Sequence, residues 1–549
     1  MADFAQFGLA PCGAAPNERH MEWYARERTA FLHFGVNTFT DREWGDGTES
    51  EALFAPTELD CRQWARVLKE GGFTAAILTA KHHDGFCLWH TQTTTHHCGN
   101  SPARVDVVRA FCDACREFGL KPGVYISPWD RFHSAWGTDG YNDVFAAQLT
   151  ELMTRYGEIY ECWWDGAGST EARYDWARWA SIVRQNQPRC ILFGCLGAAE
   201  HVDVRWVGNE EGRAGDPCWA TIEPETIETE ICADLNSGKW GGSRFIPAET
   251  NTSIRPGWFW HESQNDRVRS PEDLVSCWFR SAGRNSVLLL NLPPDRRGLL
   301  HEADAASVRQ WNALLSRMFS RDLARSAAVT ADAPLHPACA PENLLLPDGD
   351  RFYASATLTP TIILTFPAHV TFDCFSVQEV IELGHRVHTF ALDVLENGNW
   401  RTVTQRSCIG FRRCQRIAPV TAAAVRLRIL DSAAPPVLRR FALYDTNGIG
   451  QTTSVPLPGE LKTRVLPEER GIALELEGIL PFNTVSFAAT GAVTIEIFNG
   501  TRYEPLCTVT TSPVTFPTVT GSYRLRLLGT IDPDSIRVSL QGFRGCSIF

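Results

Sequence analysis

The segment Glu161–Gly168, which reads Glu-Cys-Trp-Trp-Asp-Gly-Ala-Gly, carries the clearest chemical signal in this chain. An aromatic run stops at one carboxylate, Asp165, and two glycines follow. This pattern predicts a buried strand that ends at a site, with Asp165 at the mouth of a barrel. Carboxylates at the carboxyl ends of barrel strands are typical of glycoside hydrolysis. The alternative is an aspartate that caps a helix beginning near Thr170.

Further clusters of polar and aromatic residues follow other predicted strands. Because the carboxyl ends of barrel strands meet at one face, these clusters are expected to line the same mouth. The adjacent His82 and His83 suit neutral donors to sugar hydroxyls, or structural histidines bonded to backbone carbonyls. A metal site completed by His90 or His96 is a third reading, weakened by the lack of familiar zinc spacing. The clusters are His33–Gly35 with Glu43–Gly45, Lys81–Phe86, Tyr125–Asp130, Arg205–Gly212, and Pro247–Glu249 with Ser253–His261.

Residues 20–320 alternate between strand-like and helix-like segments. Repeated β-then-α units over about 300 residues predict an α/β fold, a (β/α)8 barrel or an irregular version of one. A doubly wound sheet is the alternative, but Gly35-Val-Asn-Thr is not the glycine-rich phosphate turn that it needs. The predicted strands are Phe31–Val36, Phe73–Thr79, Gly123–Ser127, Tyr160–Trp164, Cys190–Phe193, Val204–Val207 and Ser286–Leu292, and the predicted helices are Arg62–Glu70, Val107–Phe118, Val144–Tyr156, Arg173–Gln185, Pro271–Ala282 and Ala305–Phe319.

A different pattern begins after about residue 322, where a linker leads into short β-branched and aromatic runs separated by turns. Asn397-Gly398-Asn399 lies between two such runs and predicts a hairpin. We expect a barrel over 1–322, a β-sandwich over 323–445 and a second small β domain over 446–549. The predicted strands include Thr361–Phe366, His388–Leu395, Val425–Leu430, Thr494–Phe498 and Tyr523–Leu528.

Composition narrows the range of partners. The 549 residues carry a net charge of −12, which argues against nucleic acid and anionic membranes. The 18 cysteines are scattered, and the pair Cys112 and Cys115 lies in a helical pattern, so we expect reduced thiols, no metal and no cofactor. The N-terminal residues have no basic start and no long apolar stretch. The sequence as it stands therefore predicts a cytoplasmic protein, or an exported one if a signal has been removed.

Three motifs in the same order resemble the α-L-fucosidases of glycoside hydrolase family 29. They are Lys81–Phe86 (Lys-His-His-Asp-Gly-Phe), Trp163–Gly166 (Trp-Trp-Asp-Gly) and Leu288–Gly298 (Leu-Leu-Leu-Asn-Leu-Pro-Pro-Asp-Arg-Arg-Gly). The resemblance covers roughly residues 20–320. The run Gly208-Asn209-Glu210 is similar to the branch of the family that prefers α-1,3/1,4-linked fucose on branched Lewis-type glycans.

The resemblance implies a retaining mechanism through a covalent fucosyl-enzyme, with Asp165 as the nucleophile. A short carboxylate at a rigid strand end suits that role. The acid/base must be a second carboxylate on the opposite side of the bond. Glu210 matches the family motif, Glu211 beside it is the alternative, and Glu249 and Glu43 are remoter candidates.

The resemblance also implies that His33, His82, His83 and Tyr125 bind the sugar. The apolar methyl group of fucose suits an aromatic wall, for which Trp44 and Trp258 are candidates. Arg255 is expected to bond ring hydroxyls or to hold Asp165 ionised. The expected partners are fucosylated oligosaccharides or glycoconjugates.

Residues 340–445 resemble a discoidin-type carbohydrate-binding module, through Gln378–Arg386 and Gly410–Arg412. A domain that only buttresses the barrel is the favoured reading. For the whole chain, the alternatives to a Lewis-type fucosidase are a broad-specificity α-L-fucosidase, a non-catalytic glycan-binding protein on a degenerate barrel, and a metal-dependent barrel hydrolase.

Overall fold

The computed structural model describes most of the chain. The described residues are 4–167, 173–194, 197–227, 233–346, 350–449, 463–468, 471–476, 482–498, 503–520, 524–539 and 546–548.

The first part of the chain forms a closed barrel of eight parallel strands, in the order β1-β8-β7-β6-β5-β4-β3-β2. This confirms the predicted fold class. Each of the seven predicted barrel strands overlaps an observed one. The strands are β1 (Arg28–Leu32), β2 (Ala75–Lys81), β3 (Lys121–Ile126), β4 (Glu161–Trp164), β5 (Ile191–Gly194), β6 (Val204–Trp206), β7 (Ala248–Ser253) and β8 (Val287–Asn291).

Helices connect most of these strands, and all six predicted helices overlap observed ones. The repeat is irregular, because no helix lies between β5 and β6 in the residues described there. No helix in the described part of the chain has the length and hydropathy of a membrane span. The helices are α1 (Glu18–Tyr24), α2 (Asn37–Thr40), α3 (Cys61–Glu70), α4 (Val107–Glu117), α5 (Tyr141–Arg155), α6 (Trp176–Asn186), α7 (Ala233–Ser237), α8 (Pro271–Arg280) and α9 (Glu302–Met318).

The alternation of side chains along β4 explains how Asp165 reaches the barrel mouth. Successive side chains of a strand point to opposite faces. Cys162 and Trp164 pack outward against the helices, whereas Trp163 packs inside the barrel with Phe31 and Tyr125. Asp165 comes two residues after Trp163, so its side chain also points inward, and it lies just beyond the carboxyl end of the strand.

Strand β7 is absent from the sequence prediction because its residues, Ala-Glu-Thr-Asn-Thr-Ser, have no apolar run. Glu249 is its second residue, so it lies near the amino end of the strand, and its expected place at a carboxyl end is wrong. The Glu249 carboxylate is fully buried and accepts N–H groups from the indoles of Trp23 (3.2 Å) and Trp163 (2.9 Å). This polar strand can lie inside the barrel because partners from other elements satisfy most of its side chains, including Glu249.

Two antiparallel β regions follow the barrel. The hairpin predicted at Asn397-Gly398-Asn399 is confirmed: Glu396 pairs with Asn399, and the two turn residues between them have positive φ. The first region contains β9 (Ala328–Ala331), β10 (Tyr353–Ala354), β11 (Thr361–Glu379), β12 (Val387–Glu396), β13 (Asn399–Ser407), β14 (Arg413–Ser432) and β15 (Val437–Tyr444). The second contains β16 (Thr463–Glu468), β17 (Gly471–Leu476), β18 (Phe482–Phe498), β19 (Tyr503–Val509), β20 (Val514–Thr520), β21 (Arg524–Ser539) and β22 (Cys546–Ile548).

The loop before β14 docks against the amino end of the barrel. Phe411 stacks on Tyr24 with ring centroids 4.6 Å apart and an interplanar angle of 10°. Arg412 donates to the carboxylate of Glu27 at 2.6 Å, and Asn285 accepts the Phe411 N–H at 2.8 Å. These contacts join the first β region to the barrel and agree with a buttressing role.

Phe411→Ala tests this junction. Phe411 is only half-buried, so we expect a loss of about 1–3 kcal/mol in stability, below the cost of a fully buried phenylalanine. The loss is measured by urea unfolding, with Leu358→Ala as the control because the Leu358 side chain is exposed. Equal stability of the two variants would contradict the role of this contact.

Candidate active site

Asp165 lies in the mouth of the barrel, held by two donors. The Tyr125 hydroxyl donates to Oδ2 at 2.7 Å, and the Ala167 N–H donates to Oδ1 at 2.9 Å. The side chain keeps 24% of its surface exposed, so an incoming molecule can reach it. The next described helix, α6, is capped by Asp175, and Thr170 lies outside the described residues. The orientation of Asp165 is therefore set by its neighbours before any ligand binds.

His33 is oriented by Asn291, the last residue of β8. The Asn291 amide nitrogen donates to the Trp258 carbonyl at 2.7 Å, so its oxygen faces His33. That oxygen accepts both the His33 backbone N–H (3.2 Å) and Nδ1 (2.9 Å). Nδ1 must therefore carry a proton. Burial lowers the pKa of His33 to about 3, so the ring is neutral and its Nε2 is an acceptor.

His83 is fixed in the same way by Ser127. The Ser127 hydroxyl donates to the Trp129 carbonyl at 2.9 Å and therefore accepts from His83 Nδ1 at 2.7 Å. Burial lowers the pKa of His83 to about 4, which leaves Nε2 as an acceptor at 3.9 Å from Asp165. The sequence suggests histidine donors at this position. The tautomers that these contacts imply for His33 and His83 instead present acceptors, to which sugar hydroxyls can donate.

Aromatic rings form the remaining walls of the mouth. His82 lies between His83 and Tyr125, with ring centroids at 4.1 and 5.8 Å, and burial lowers its pKa. Trp44 meets His83 edge-on at 5.5 Å, and Trp258 packs on His33 at 5.0 Å. His96 does not join this group, since its Nδ1 bonds to Glu51 at 2.7 Å.

Glu210 is the second carboxylate at the mouth. Its Oε2 accepts the Trp258 indole N–H at 3.1 Å. Withdrawal from water raises its pKa to about 7, opposed by the Trp258 hydrogen bond and reinforced by the negative charges of Asp165 and Glu43. Near neutral pH Glu210 can therefore hold a proton and also release it.

The other three glutamates have different surroundings. Glu211 is buried and forms an ion pair with Arg213 at 3.2 Å. Glu249 lies at the opposite end of the barrel interior, as described above. The Glu43 oxygens are engaged by the Trp258 backbone N–H (2.7 Å) and by His261 (2.5 Å).

Arg255 is placed differently from its prediction. Its Nε donates to both oxygens of Asp304 on α9, at 3.0 and 2.9 Å, and both side chains are fully buried. Its Nη1 donates to Asn265 at 2.9 Å. The guanidinium thus joins the loop after β7 to α9, and its ion pair is with Asp304 instead of Asp165.

Two orienting residues, Asn291 and Ser127, were not identified as site residues from the sequence. Both are polar residues at or just after the carboxyl end of a barrel strand, β8 and β3 respectively. That position is a usable signal, because polar groups at strand ends of a barrel meet at the mouth.

The geometry joins one fixed carboxylate, one carboxyl group with a raised pKa, neutral histidines and an aromatic wall at the carboxyl end of a parallel barrel. This set defines a glycoside hydrolase site, because glycoside cleavage uses two carboxyl groups in different protonation states.

Comparisons with known proteins identify the family. The family model of α-L-fucosidase matches residues 4–318. α-L-Fucosidase 1 of Arabidopsis thaliana is 35% identical over an alignment of 475 residues, and the alignment covers 83% of this chain and 92% of the plant protein. The chain belongs to the α-L-fucosidases of glycoside hydrolase family 29, and it is an enzyme with this hydrolase function.

Solved structures agree with this assignment. A Bacteroides thetaiotaomicron protein assigned as an α-L-fucosidase has a TM-score of 0.78 and 45% identity, covering 80% of this chain and 99% of that one. The Ruminococcus gnavus family 29 fucosidase in complex with fucose has a TM-score of 0.74 and 26% identity, covering 80% and 96%.

Asn291→Ala tests the orientation of His33. The change leaves buried groups unpaired, so we expect kcat/KM to fall about 5- to 150-fold while the fold is retained. The control is Asn399→Ala in the exposed turn, which should keep full activity. Full activity of Asn291→Ala would show that the His33 tautomer does not matter for turnover.

Proposed function

We propose that this enzyme is a retaining exo-α-L-fucosidase in which Asp165 is the nucleophile and Glu210 the acid/base. The observation that carries the proposal is the pairing of a fixed carboxylate with a carboxyl group whose pKa is raised to about 7. The fucose-bound Ruminococcus gnavus relative supports the choice of sugar.

In the first step, Asp165 attacks the anomeric carbon while Glu210 donates its proton to the departing glycosidic oxygen. The bond from that oxygen to the anomeric carbon breaks, and an ester between fucose and Asp165 forms. Tyr125 and the Ala167 N–H keep the attacking carboxylate aligned, which reduces the reorganisation needed.

In the second step, water attacks the same carbon, the ester breaks and Asp165 leaves as a carboxylate. Once Asp165 is esterified, it no longer carries the negative charge that raises the pKa of Glu210. Glu210 is then a stronger acid, is found more often as the carboxylate, and takes the proton of the attacking water. The proximity of the two groups thus links each protonation state of Glu210 to the step that needs it.

We assign His33, His82, His83 and Tyr125 to the sugar, with Trp44 and Trp258 as its aromatic walls. The Nε2 atoms of His33 and His83 accept from fucose hydroxyls in this assignment. Trp258 also holds Glu210 through its indole N–H, so it connects the sugar wall to the acid/base.

Asp165→Asn should remove nearly all turnover, because no other carboxylate can attack from that position. The folded state should persist, as measured by circular dichroism. Azide should restore partial activity with an inverted product, and a 2-deoxy-2-fluoro-fucosyl reagent should label the Asp165 peptide in the unaltered enzyme. Retention of more than a few per cent of activity would exclude Asp165 as the nucleophile.

Glu210→Ala should lower kcat/KM by about 10²–10⁴-fold for substrates with poor leaving groups and much less for an activated aryl fucoside. In the unaltered enzyme, kcat/KM should fall as the pH rises through about 7, since the acid then loses its proton. The matched control is Glu211→Ala, which should have a mild effect. The reverse order of severity would transfer the role to Glu211.

We further propose a preference for fucose attached α-1,3 or α-1,4 to GlcNAc with a neighbouring galactose. The resemblance at Gly208-Asn209-Glu210 supports this. The loop is held internally, since the Asn209 amide donates to the Arg213 carbonyl at 2.8 Å and accepts the Glu211 N–H at 3.1 Å. A rigid rim can use the binding energy of a second sugar branch to orient the scissile bond.

The specificity is tested by kcat/KM on Lewis a or Lewis x trisaccharide, 2′-fucosyllactose and an aryl fucoside. The branched trisaccharides should be the best substrates, despite the better leaving group of the aryl compound. Comparable values on all three, or a preference for the α-1,2 linkage, would favour the broad-specificity alternative and leave the fucosidase function intact.

A further inference from the structure

An ion cluster formed by Asp41, Glu43 and His261 contacts the backbone of Trp258. His261 Nδ1 is 2.8 Å from Asp41 Oδ1, and His261 Nε2 is 2.5 Å from Glu43 Oε1. A protonated imidazole can donate from both ring nitrogens, one to each of these carboxylates. The two carboxylates raise its pKa, against the effect of burial.

Glu43 transmits this contact to Trp258. Its second oxygen accepts the Trp258 backbone N–H at 2.7 Å. The neighbouring Gly257 leaves room for the carboxylate, since a Cβ there would come within 2.2 Å of Glu43 Oε1. Two barrel residues hold the same segment. The Asn291 amide donates to the Trp258 carbonyl, and the Ser253 hydroxyl donates to the Gly257 carbonyl, both at 2.7 Å.

Trp258 then reaches Glu210, because its indole N–H donates to Glu210 Oε2 at 3.1 Å. A continuous chain of contacts therefore runs from Asp41 through His261, Glu43 and Trp258 to Glu210. Arg296 also approaches the cluster, with Nη2 at 3.9 Å from Asp41 Oδ1.

The geometry points to His261 as a positioning residue that holds Trp258, and through it Glu210, by bridging Asp41 and Glu43. The inference rests on the proposed role of Glu210 as the acid. His261 touches neither reacting group. Its effect is confined to the alignment of the proton donor, so its loss affects the cleavage of poor leaving groups more than that of good ones.

The first test is His261→Gln, assayed on a fucoside with a poor leaving group and on one with an activated aryl leaving group. We expect kcat/KM to fall at least about tenfold on the first and much less on the second. The control is His369→Gln, whose side chain is exposed in the first β region and which should match the unaltered enzyme on both substrates. An equal loss on both substrates would overturn the inference, because general damage to the fold gives that result.

The second test is a double-mutant cycle with Trp258→Phe, which removes the indole donor. If His261 acts through Trp258, then His261→Gln lowers kcat/KM less in the Trp258→Phe background than in the unaltered enzyme. Additive losses would overturn the inference. Asp41→Asn, at an exposed position, provides a milder variant that should shift the leaving-group dependence in the same direction; no shift there would count against the bridge.

Glu210→Ala, assayed on the same two substrates, separates the inference from the proposed function. If this variant shows no leaving-group dependence, Glu210 is not the acid and both proposals fail. If it shows the dependence and His261→Gln does not, only the role of His261 fails.

Discussion

The hydrogen bonds of Asn291 are the constraint on which the barrel mouth depends. One buried amide at the end of β8 donates to the Trp258 carbonyl and to the Ser253 hydroxyl, and accepts from His33 on the neighbouring strand end. A buried amide must satisfy its donors and acceptor in fixed directions, so it determines the tautomer of His33 and the position of Trp258 together. The position of Trp258, whose indole donates to Glu210, therefore depends on this residue together with Glu43.

The two carboxyl groups at the mouth differ because their surroundings differ. Asp165 receives two hydrogen bonds, whereas Glu210 accepts one from the Trp258 indole, and partial burial with the negative charges of Asp165 and Glu43 raises its pKa. The same chemical group can therefore serve as a nucleophile in one position and as a proton donor in the other. Neutral histidines nearby, whose pKa values burial lowers, add no positive charge that would undo this difference.

The first β region contacts the barrel at its amino end, opposite the mouth. Phe411 and Arg412 contact Tyr24, Glu27 and Asn285, which lie just before the amino ends of β1 and β8. Glu379 links the two segments that resemble a discoidin module, since its carboxylate accepts backbone N–H groups of Arg386 and Gly410. These residues therefore support the fold of the loop that docks on the barrel.

The alternation of strands and helices, the hairpin at Asn397 and the position of Asp165 at a strand end can all be predicted from the sequence. Each of these is local, because apolar periodicity and turn chemistry act over a few residues. Most residues of the barrel mouth can also be predicted from the sequence, because polar residues at the carboxyl ends of barrel strands lie close together.

Strand β7 and the partners of the buried charged side chains depend on contacts between distant parts of the chain. Strand β7 has no apolar signal and exists because Trp23 and Trp163 satisfy Glu249 from distant parts of the chain. Arg255 pairs with Asp304, and His261 bridges Asp41 and Glu43, because long side chains bond to whatever groups the fold places within reach. The partner of a buried polar group is set by three-dimensional packing, and spacing along the chain does not contain that information.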